Sequence, residues 1–478
     1  MPRGRVLFAA SEVYPFAKTG GLADVGYSLP RALSHGFDMT VVMPLYRAID
    51  REAFGITDAG EAFDVSLGGE VYRVSLYECT YEGCDYRFVY APLLCEREYL
   101  YGPPGEGYED NALRFGLFSH AIVRLARQMR SDIVHLNDWQ TALAALLIAE
   151  DERATAGTVY TIHNLAYQGV FGKENRALLG IGRRHFTLEG VEYYDKVNLM
   201  KAGIGFADAV TTVSPTYAQE ILTAQFGCGL EGYLHRHRAK LQGIVNGIDT
   251  EHFSPTSDTA LVRTYASPQG KRHNKEVFLD TAGLRGAEKP LFIFIGRFTW
   301  QKGMDLLIEA LPKMAECECN IAVLGEGEAQ YHDRLEAIAD ARENVHLLFG
   351  YDEALAHRMY AAADFLLMPS LFEPCGLNQL IAAHYGAVPI VHRVGGLADT
   401  VSAYGECGTA ETSGCGIGFE TATCEAVMSA FAEALALFGD PAKYRGIASH
   451  NMQADVSWET SAAAYAALYR KISKGALE

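Results

Sequence analysis

Short apolar runs recur along the chain, each followed by a longer stretch with apolar residues at helical spacing. In the first half these runs lie at 6–10, 39–43, 132–136, 158–162, 209–213 and 241–245. Runs without polar alternation predict strands buried on both faces, and their alternation with helical stretches predicts a parallel sheet covered by helices. Residues 63–91 read differently. Val71-Tyr72-Arg73-Val74-Ser75-Leu76 alternates apolar and polar positions, which predicts an antiparallel insertion near 63–91 in the first domain.

Asn246-Gly247-Ile248-Asp249, followed by Pro255, breaks the pattern, and a polar stretch runs on through Lys275. Alternation resumes at Leu291-Phe292-Ile293-Phe294-Ile295-Gly296, with further runs at 321–324, 345–349, 365–368 and 388–391. At 478 residues the chain exceeds what one hydrophobic core spans. The expected fold class is α/β, with two Rossmann-like, doubly wound parallel-sheet domains facing a cleft in which ligands bind. The N-terminal domain takes residues 1–245 and the C-terminal domain 246–456. Residues 457–478 carry Trp458, Ala462, Tyr465 and Leu468 at helical spacing and predict a terminal helix packed back on the first domain.

Composition changes this picture by exclusion. A hydrophobic share of 49% is that of a soluble globular protein. There is no apolar run near the length of a membrane span and no charged-then-apolar leader, so a cytoplasmic protein without membrane contact is expected. The net charge of -18 argues against nucleic acid as a partner. The ten cysteines are scattered, and the close pair Cys317-x-Cys319 lacks a second pair at zinc-ligand spacing, so reduced thiols are expected. Among the 15 histidines there is no H-E-x-x-H and nowhere an Asp-x-Asp. No metal and no cofactor are expected from these patterns.

Candidate chemistry gathers at strand ends. Lys18-Thr19-Gly20-Gly21-Leu22-Ala23-Asp24 joins the first apolar run to a helical stretch, so backbone N–H groups and the helix dipole converge with the Lys18 ammonium on an anion-binding spot. Its spacing fits neither G-x-G-x-x-G nor G-x-x-x-x-G-K-[ST], and paired glycines there also make an ordinary turn. The string returns as Gly395-Gly396-Leu397-Ala398-Asp399. Arg297 and Lys302 flank one loop after the run at 291–295 and suit a shared anion; as surface residues they are equally a pair of solvated charges. Glu373 precedes a helix start in Phe372-Glu373-Pro374-Cys375-Gly376-Leu377-Asn378, either as a ligand-facing carboxylate or as an acidic cap. Asn137-Asp138-Trp139-Gln140 and His163-Asn164-Leu165-Ala166-Tyr167-Gln168-Gly169 end two successive runs. An acid, an indole and a neutral imidazole suit a sugar. Without a metal, a leaving diphosphate is neutralised by Arg, Lys and helix N-termini.

In this combination and order the motifs resemble those of bacterial glycogen (starch) synthases, retaining glycosyltransferases of the two-domain GT-B fold. The match runs from Lys18-Thr19-Gly20-Gly21-Leu22 through the His163 motif, Ser214-Pro215-Thr216-Tyr217-Ala218, Asn246-Gly247-Ile248-Asp249, Gln301-Lys302-Gly303 and Glu373-Pro374-Cys375-Gly376-Leu377 to Gly395-Gly396-Leu397. The resemblance implies transfer of glucose from ADP-glucose to the non-reducing 4-hydroxyl of glycogen or another α-1,4-glucan. It implies that Arg297, Lys302 and the amides of Leu377 and Asn378 hold the diphosphate, and that Glu373 binds the donor glucose and supports positive charge on its ring. His163 hydrogen-bonds that glucose, and Asp138 lies on the sugar-binding face. Lys18, Gly20 and Gly21 reach the distal phosphate on domain closure, Tyr351 stacks on adenine, and Asn246, Gly395 and Gly396 complete the donor-binding set. Both retaining routes, covalent and front-face, are open, with the front-face route favoured. The sequence departs from the family pattern at Ile381, where many GT-B transferases carry a second glutamate, and at Asn137, Gln140 and Asn378. UDP-glucose as donor, a pyridoxal-dependent glucan phosphorylase and a non-catalytic glucan-binding protein are the competing readings; oligomeric state is not legible.

Overall fold

The computed structural model describes residues 3–103, 105–350, 352–406 and 414–473. The chain divides into two compact units: Met1–Val213, Ala218–Ile244 and Trp458–Glu478 form the first, and Ser214–Tyr217 with Val245–Ser457 form the second.

The strands of the first unit are β1 (Gly4–Ala9), β2 (Phe37–Pro44), β3 (Thr57–Leu67), β4 (Glu70–Tyr81), β5 (Cys84–Tyr90), β6 (Ile133–Asn137), β7 (Gly157–Ile162), β8 (Val170–Gly172), β9 (Glu192–Tyr193), β10 (Lys196–Asn198), β11 (Ala209–Thr212) and β12 (Leu241–Gly243). Its main sheet has the order β12-β11-β7-β6-β1-β2-β5-β4-β3, and β8, β10 and β9 form a small sheet of their own. From β12 to β5 every pairing is parallel. β6 and β7 are buried at every residue, because helices cover both faces and leave no side for a polar alternation.

The segment around 63–91 begins earlier, at Thr57, and is not a layer of its own. β5 pairs antiparallel with β4 on one side and parallel with β2 on the other, so the hairpin lengthens the main sheet. Its outer strand β3 carries Asp58, Glu61 and Asp64 and shifts register between Asp58 and Ala62. Charge and irregularity discourage further pairing at this edge. The terminal helix, Glu459–Ile472, belongs to the first unit although the whole second unit precedes it in sequence. Tyr465 and Tyr469 are buried. The Tyr469 hydroxyl lies 2.6 Å from His135 Nδ1, and its ring packs edge-on against Phe37.

The second unit holds one parallel sheet of β13 (Leu291–Ile295), β14 (Asn320–Gly325), β15 (Val345–Phe349), β16 (Phe365–Met368), β17 (Val388–His392), β18 (Val401–Ala403) and β19 (Gly414–Phe419), in the order β15-β14-β13-β16-β17-β19-β18. Side chains alternate between two cores. Phe292, Val323, Phe365 and Leu367 meet helices Met304–Met314 and Cys424–Phe438 on one face. Ile293, Leu324, Leu366 and Met368 meet helices Lys271–Thr281 and Glu353–Ala362 on the other.

In each sheet the chain first builds outward on one side and then returns to the other. The reversal falls between β1 and β6 in the first unit and between β13 and β16 in the second. At such a point the connections leave in opposite directions, and the carboxyl ends of the two strands border an uncovered crevice. No described helix is long and apolar enough to cross a membrane. The expectation of reduced thiols fits Cys79, Cys84, Cys95, Cys228, Cys317, Cys319, Cys375 and Cys424. Cys415 departs from it, being disulfide-bonded.

Candidate active site

At the switch point of the second unit, β13 leads into Gly296-Arg297 and β16 into the loop that carries Glu373. Lys302 Nζ donates to Glu373 Oε2 at 2.6 Å, and Ser370 Oγ donates to the same oxygen at 3.0 Å. Glu373 is only 5% exposed. Arg297 is exposed and has no carboxylate partner among the described residues. An isolated buried carboxylate is expensive unless a cation and hydrogen bonds accompany it; Lys302 and Ser370 supply both here. Behind them, His392 Nδ1 donates to the Ser370 carbonyl at 2.8 Å. Gly303, with φ 71°, turns the chain into helix Met304–Met314 so tightly that a Cβ would lie 2.0 Å from the Pro369 carbonyl oxygen. The loops bearing Lys302 and Glu373 therefore pack backbone to backbone.

The glycine pair Gly395-Gly396 supports the same loop from β17. The Gly396 N–H donates to the carbonyls of Glu373 at 3.0 Å and Pro374 at 3.2 Å, so this donor positions the Glu373 loop and is not left for a ligand. Helix Asn378–His384 starts behind Leu377. The Asn378 side chain donates to the Ile295 carbonyl at 2.7 Å, tying that helix to the end of β13. Ile381 is buried in the core, so the position where a second glutamate is common offers the site no polar group. Asn246 is buried, with its side-chain oxygen lacking a hydrogen-bond partner. Cys375 is buried beside it, and burial pushes its thiol up to about 12, which leaves it inert. Tyr351 lies outside the described residues.

At the switch point of the first unit, β6 ends in Asn137 and β7 in Ile162, one residue before His163. Asp138 has φ 55° and ψ -178°, a sparsely populated backbone conformation outside the left-handed helical region and essentially reserved for glycine. Its Oδ1 accepts the His163 backbone N–H at 2.8 Å. Burial is the leading cause that raises the Asp138 carboxyl to about 7, opposed by hydrogen bonds from the His163 and Asn164 backbone. Burial lowers His163 to about 3, so the imidazole is neutral. Its tautomer follows from its neighbour. Asn137 Nδ2 donates to the Ala9 carbonyl at 2.9 Å, which turns Oδ1 toward His163 Nε2 at 2.9 Å. That oxygen only accepts, so Nε2 carries the proton and Nδ1 is the basic nitrogen.

The Lys18 loop lies at the other strand of the same switch point, after β1. Lys18 Nζ donates to Asp24 Oδ1 at 2.7 Å, so the ammonium has a carboxylate partner within its own loop. The loop N–H groups are also engaged: the Glu12 carboxylate accepts from the Thr19 backbone N–H, from Thr19 Oγ1, from the Gly20 N–H at 3.3 Å and from the Tyr101 hydroxyl at 3.2 Å. Burial raises the Glu12 carboxyl above its ordinary range. Gly20 and Gly21 are exposed at the start of helix Gly21–Leu33, and open space surrounds the position of a Cβ on Gly20. Trp139 is committed to packing against Phe115 and Phe171.

Sequence reasoning missed Glu12, Ser370 and Tyr101. Glu12 had a signal, as an acidic residue two positions after an apolar run; Tyr101 had none, because only the fold brings residues 89 positions apart together.

Residues 5–236 match the family described as starch synthase catalytic domain, and residues 289–435 the one described as glycosyl transferases group 1. A glycogen synthase of Geotalea daltonii is 40% identical over 480 residues, covering 98% of this chain and 99% of that protein. A glycogen synthase of Aquifex aeolicus is 42% identical, again covering 98% of this chain and 99% of the relative. Among solved structures, the catalytic domain of starch synthase IV from Arabidopsis thaliana, bound to ADP and acarbose, matches with a TM-score of 0.91 at 32% identity, over 98% of this chain and 99% of that one.

Proposed function

The chain belongs to the glycogen and starch synthase family of hexosyltransferases, and from that premise we propose that it transfers glucose from ADP-glucose to the non-reducing 4-hydroxyl of an α-1,4-glucan, retaining the anomeric configuration. The observation that carries the reading is the buried Glu373 carboxylate held 2.6 Å from Lys302 Nζ at a sheet switch point, with Arg297, unpaired among the described residues, on the neighbouring loop.

The chemistry follows from charge. As the bond from the anomeric carbon to the diphosphate oxygen breaks, negative charge grows on the diphosphate and positive charge on the sugar ring. Arg297 offers a planar fork of donors, and Lys302 has three N–H donors of which Glu373 uses one. Together they stabilise the leaving group, with the first-turn amides of Leu377 and Asn378 adding to them. Glu373 accepts donor-glucose hydroxyls and stabilises the ring's positive charge. On the front-face route the acceptor's 4-hydroxyl passes its proton to the departing phosphate oxygen as the new glycosidic bond forms on the same face.

His163, neutral and protonated on Nε2, accepts a sugar hydroxyl at Nδ1. Asp138 holds the His163 backbone and fixes where that ring stands. Lys18 exchanges Asp24 for the distal phosphate, and Glu12 keeps the loop in shape. Incubation of the purified protein with glycogen and labelled sugar nucleotides tests the reading. Faster incorporation from ADP-glucose than from UDP-glucose is expected. Faster incorporation from UDP-glucose would replace the donor, and none from either would remove the reading.

A further inference from the structure

The second unit holds another constellation, outside the residues assigned to glucosyl transfer. On helix Glu353–Ala362, Glu353 and His357 stand at i and i+4, where side chains share a helix face. His252, from the segment that leads into the unit, joins them. One ligand atom of each residue lies within 4.8 Å of the other two, and His252 Nε2 is 3.5 Å from Glu353 Oε1.

The buried member shows what the cluster lacks. His357 is 4% exposed, and its Nδ1 donates to Asp258 Oδ2 at 2.7 Å. Asp258 is held in turn by the Tyr385 hydroxyl at 2.5 Å. With the proton on Nδ1, Nε2 is the nitrogen left to ligate, and that atom is buried without a hydrogen-bond partner among the described residues. A carboxylate that orients an imidazole so that its other nitrogen is free is the arrangement found behind metal-ligating histidines.

We infer that His252, Glu353 and His357 form a binding site for a first-row divalent cation, zinc above all, with Asp258 as the outer partner that orients His357. Two imidazoles and one carboxylate suit zinc and leave a fourth position for water, whereas magnesium and calcium demand all-oxygen shells. Bonds of about 2.0–2.1 Å set tetrahedral ligand atoms about 3.4 Å apart. The cluster closes to that spacing by side-chain rotation, because His252 and Glu353 both have side chains 33% exposed while His357 stays fixed. The bound ion staples the entry segment of the unit to a helix that packs on its sheet. The set is invisible in sequence, since even Asp258 and His357 are 99 positions apart.

The test uses the full chain stripped with chelator. Calorimetric titration with zinc chloride should give the parent protein one more site than His252→Ala or His357→Gln, while Glu353→Gln binds at least about tenfold more weakly. At a hundredfold excess over Kd, zinc should raise the parent's Tm by roughly 5 °C and leave His252→Ala unmoved. The His252 side chain is one-third exposed, so His252→Ala should melt like the parent in chelator. Cobalt in place of zinc should give visible d–d absorption without a thiolate charge-transfer band. Equal zinc stoichiometry and equal Tm gain in parent and His252→Ala, a thiolate band, or no zinc bound by the parent would each overturn the assignment.

Discussion

Gly396→Ala asks whether the second glycine pair acts by holding Glu373 in place. A Cβ at this position would lie 2.2 Å from the Cys375 carbonyl oxygen and 2.4 Å from its Cα. Both are backbone atoms that cannot rotate aside, so one loop must retreat by roughly 1 Å to reach ordinary contact, and a displacement of that size costs about 10²-fold in rate. The Gly396 N–H is bonded to the Glu373 and Pro374 carbonyls, so the retreat moves the Glu373 loop itself and breaks the register of Glu373 with Lys302 and Ser370. Overpacking adds about 1–3 kcal/mol of destabilisation. At about 2–4 °C per kcal/mol for a unit of this size, the variant loses several degrees of Tm and stays folded at 25 °C. Gly20→Ala is the contrasting variant: no heavy atom lies within 4 Å of its Cβ, so its Tm should equal the parent's. Initial rates of glucosyl incorporation beside thermal melts decide the matter. The expected result is a fall in kcat for Gly396→Ala of about 10²-fold with the glucan KM unchanged. Turnover within about threefold of the parent would refute the positional argument.

Glu373→Gln keeps the volume and removes the charge, and should lower kcat by about 10²–10³-fold; near-normal turnover would take Glu373 out of the mechanism. Lys18→Ala should raise the KM for the sugar nucleotide while leaving Tm nearly unchanged, since a partly exposed pair such as Lys18 and Asp24 contributes at most about 1 kcal/mol; a large fall in Tm with unaltered KM would make Lys18 purely structural. Stability should also depend on pH. The fold lowers His135 and His163 to about 3, so below their ordinary value the unfolded chain binds protons that the fold refuses, and each costs about 1.4 kcal/mol per pH unit on acidification. Asp138, raised to about 7, works in the opposite sense. The fold keeps a proton that the unfolded chain has lost, so its contribution is present below the ordinary carboxylate value and is lost as pH rises toward 7. Asp138→Asn should therefore lose stability relative to the parent as pH falls from about 7 to 4, by about 1.4 kcal/mol per unit. Urea-unfolding midpoints across that range would show it, and parallel curves would deny the shift.

Much of the molecule was legible because parallel sheets leave a one-dimensional trace. The buried strands β6 and β7 have no solvent face, so their apolar runs are continuous and stand out. The candidate loops were legible for a related reason: Gly296-Arg297 and Asp138 follow such a run closely and Glu373-Pro374 lies on the loop after one, and the carboxyl ends of parallel strands are where ligands bind. The hairpin segment was legible as antiparallel, though not in how it joins the sheet. Alternation in β4 announced antiparallel pairing, but nothing local shows that β5 turns its other edge to β2. The Lys18 loop was read as a set of available donors and a mobile charge, whereas Glu12 and Asp24 occupy them; partners of that kind come from the fold or from a side-chain rotamer, and spacing is silent on both.

By itself the sequence determined the class of each segment, the division into two units and the residue types offered for sugar and phosphate chemistry, because these depend on periodicity, turn chemistry and the order of motifs along one chain. Tertiary structure decided the pairings. It put Lys302 on Glu373, turned Gly396 from a ligand donor into a brace, fixed the proton of His163 on Nε2 through Asn137, and gathered His252, Glu353 and His357 into one cluster. Such choices rest on distances between atoms far apart in the chain. Burial then fixes charge states through desolvation, and only the fold sets how deep a group is buried.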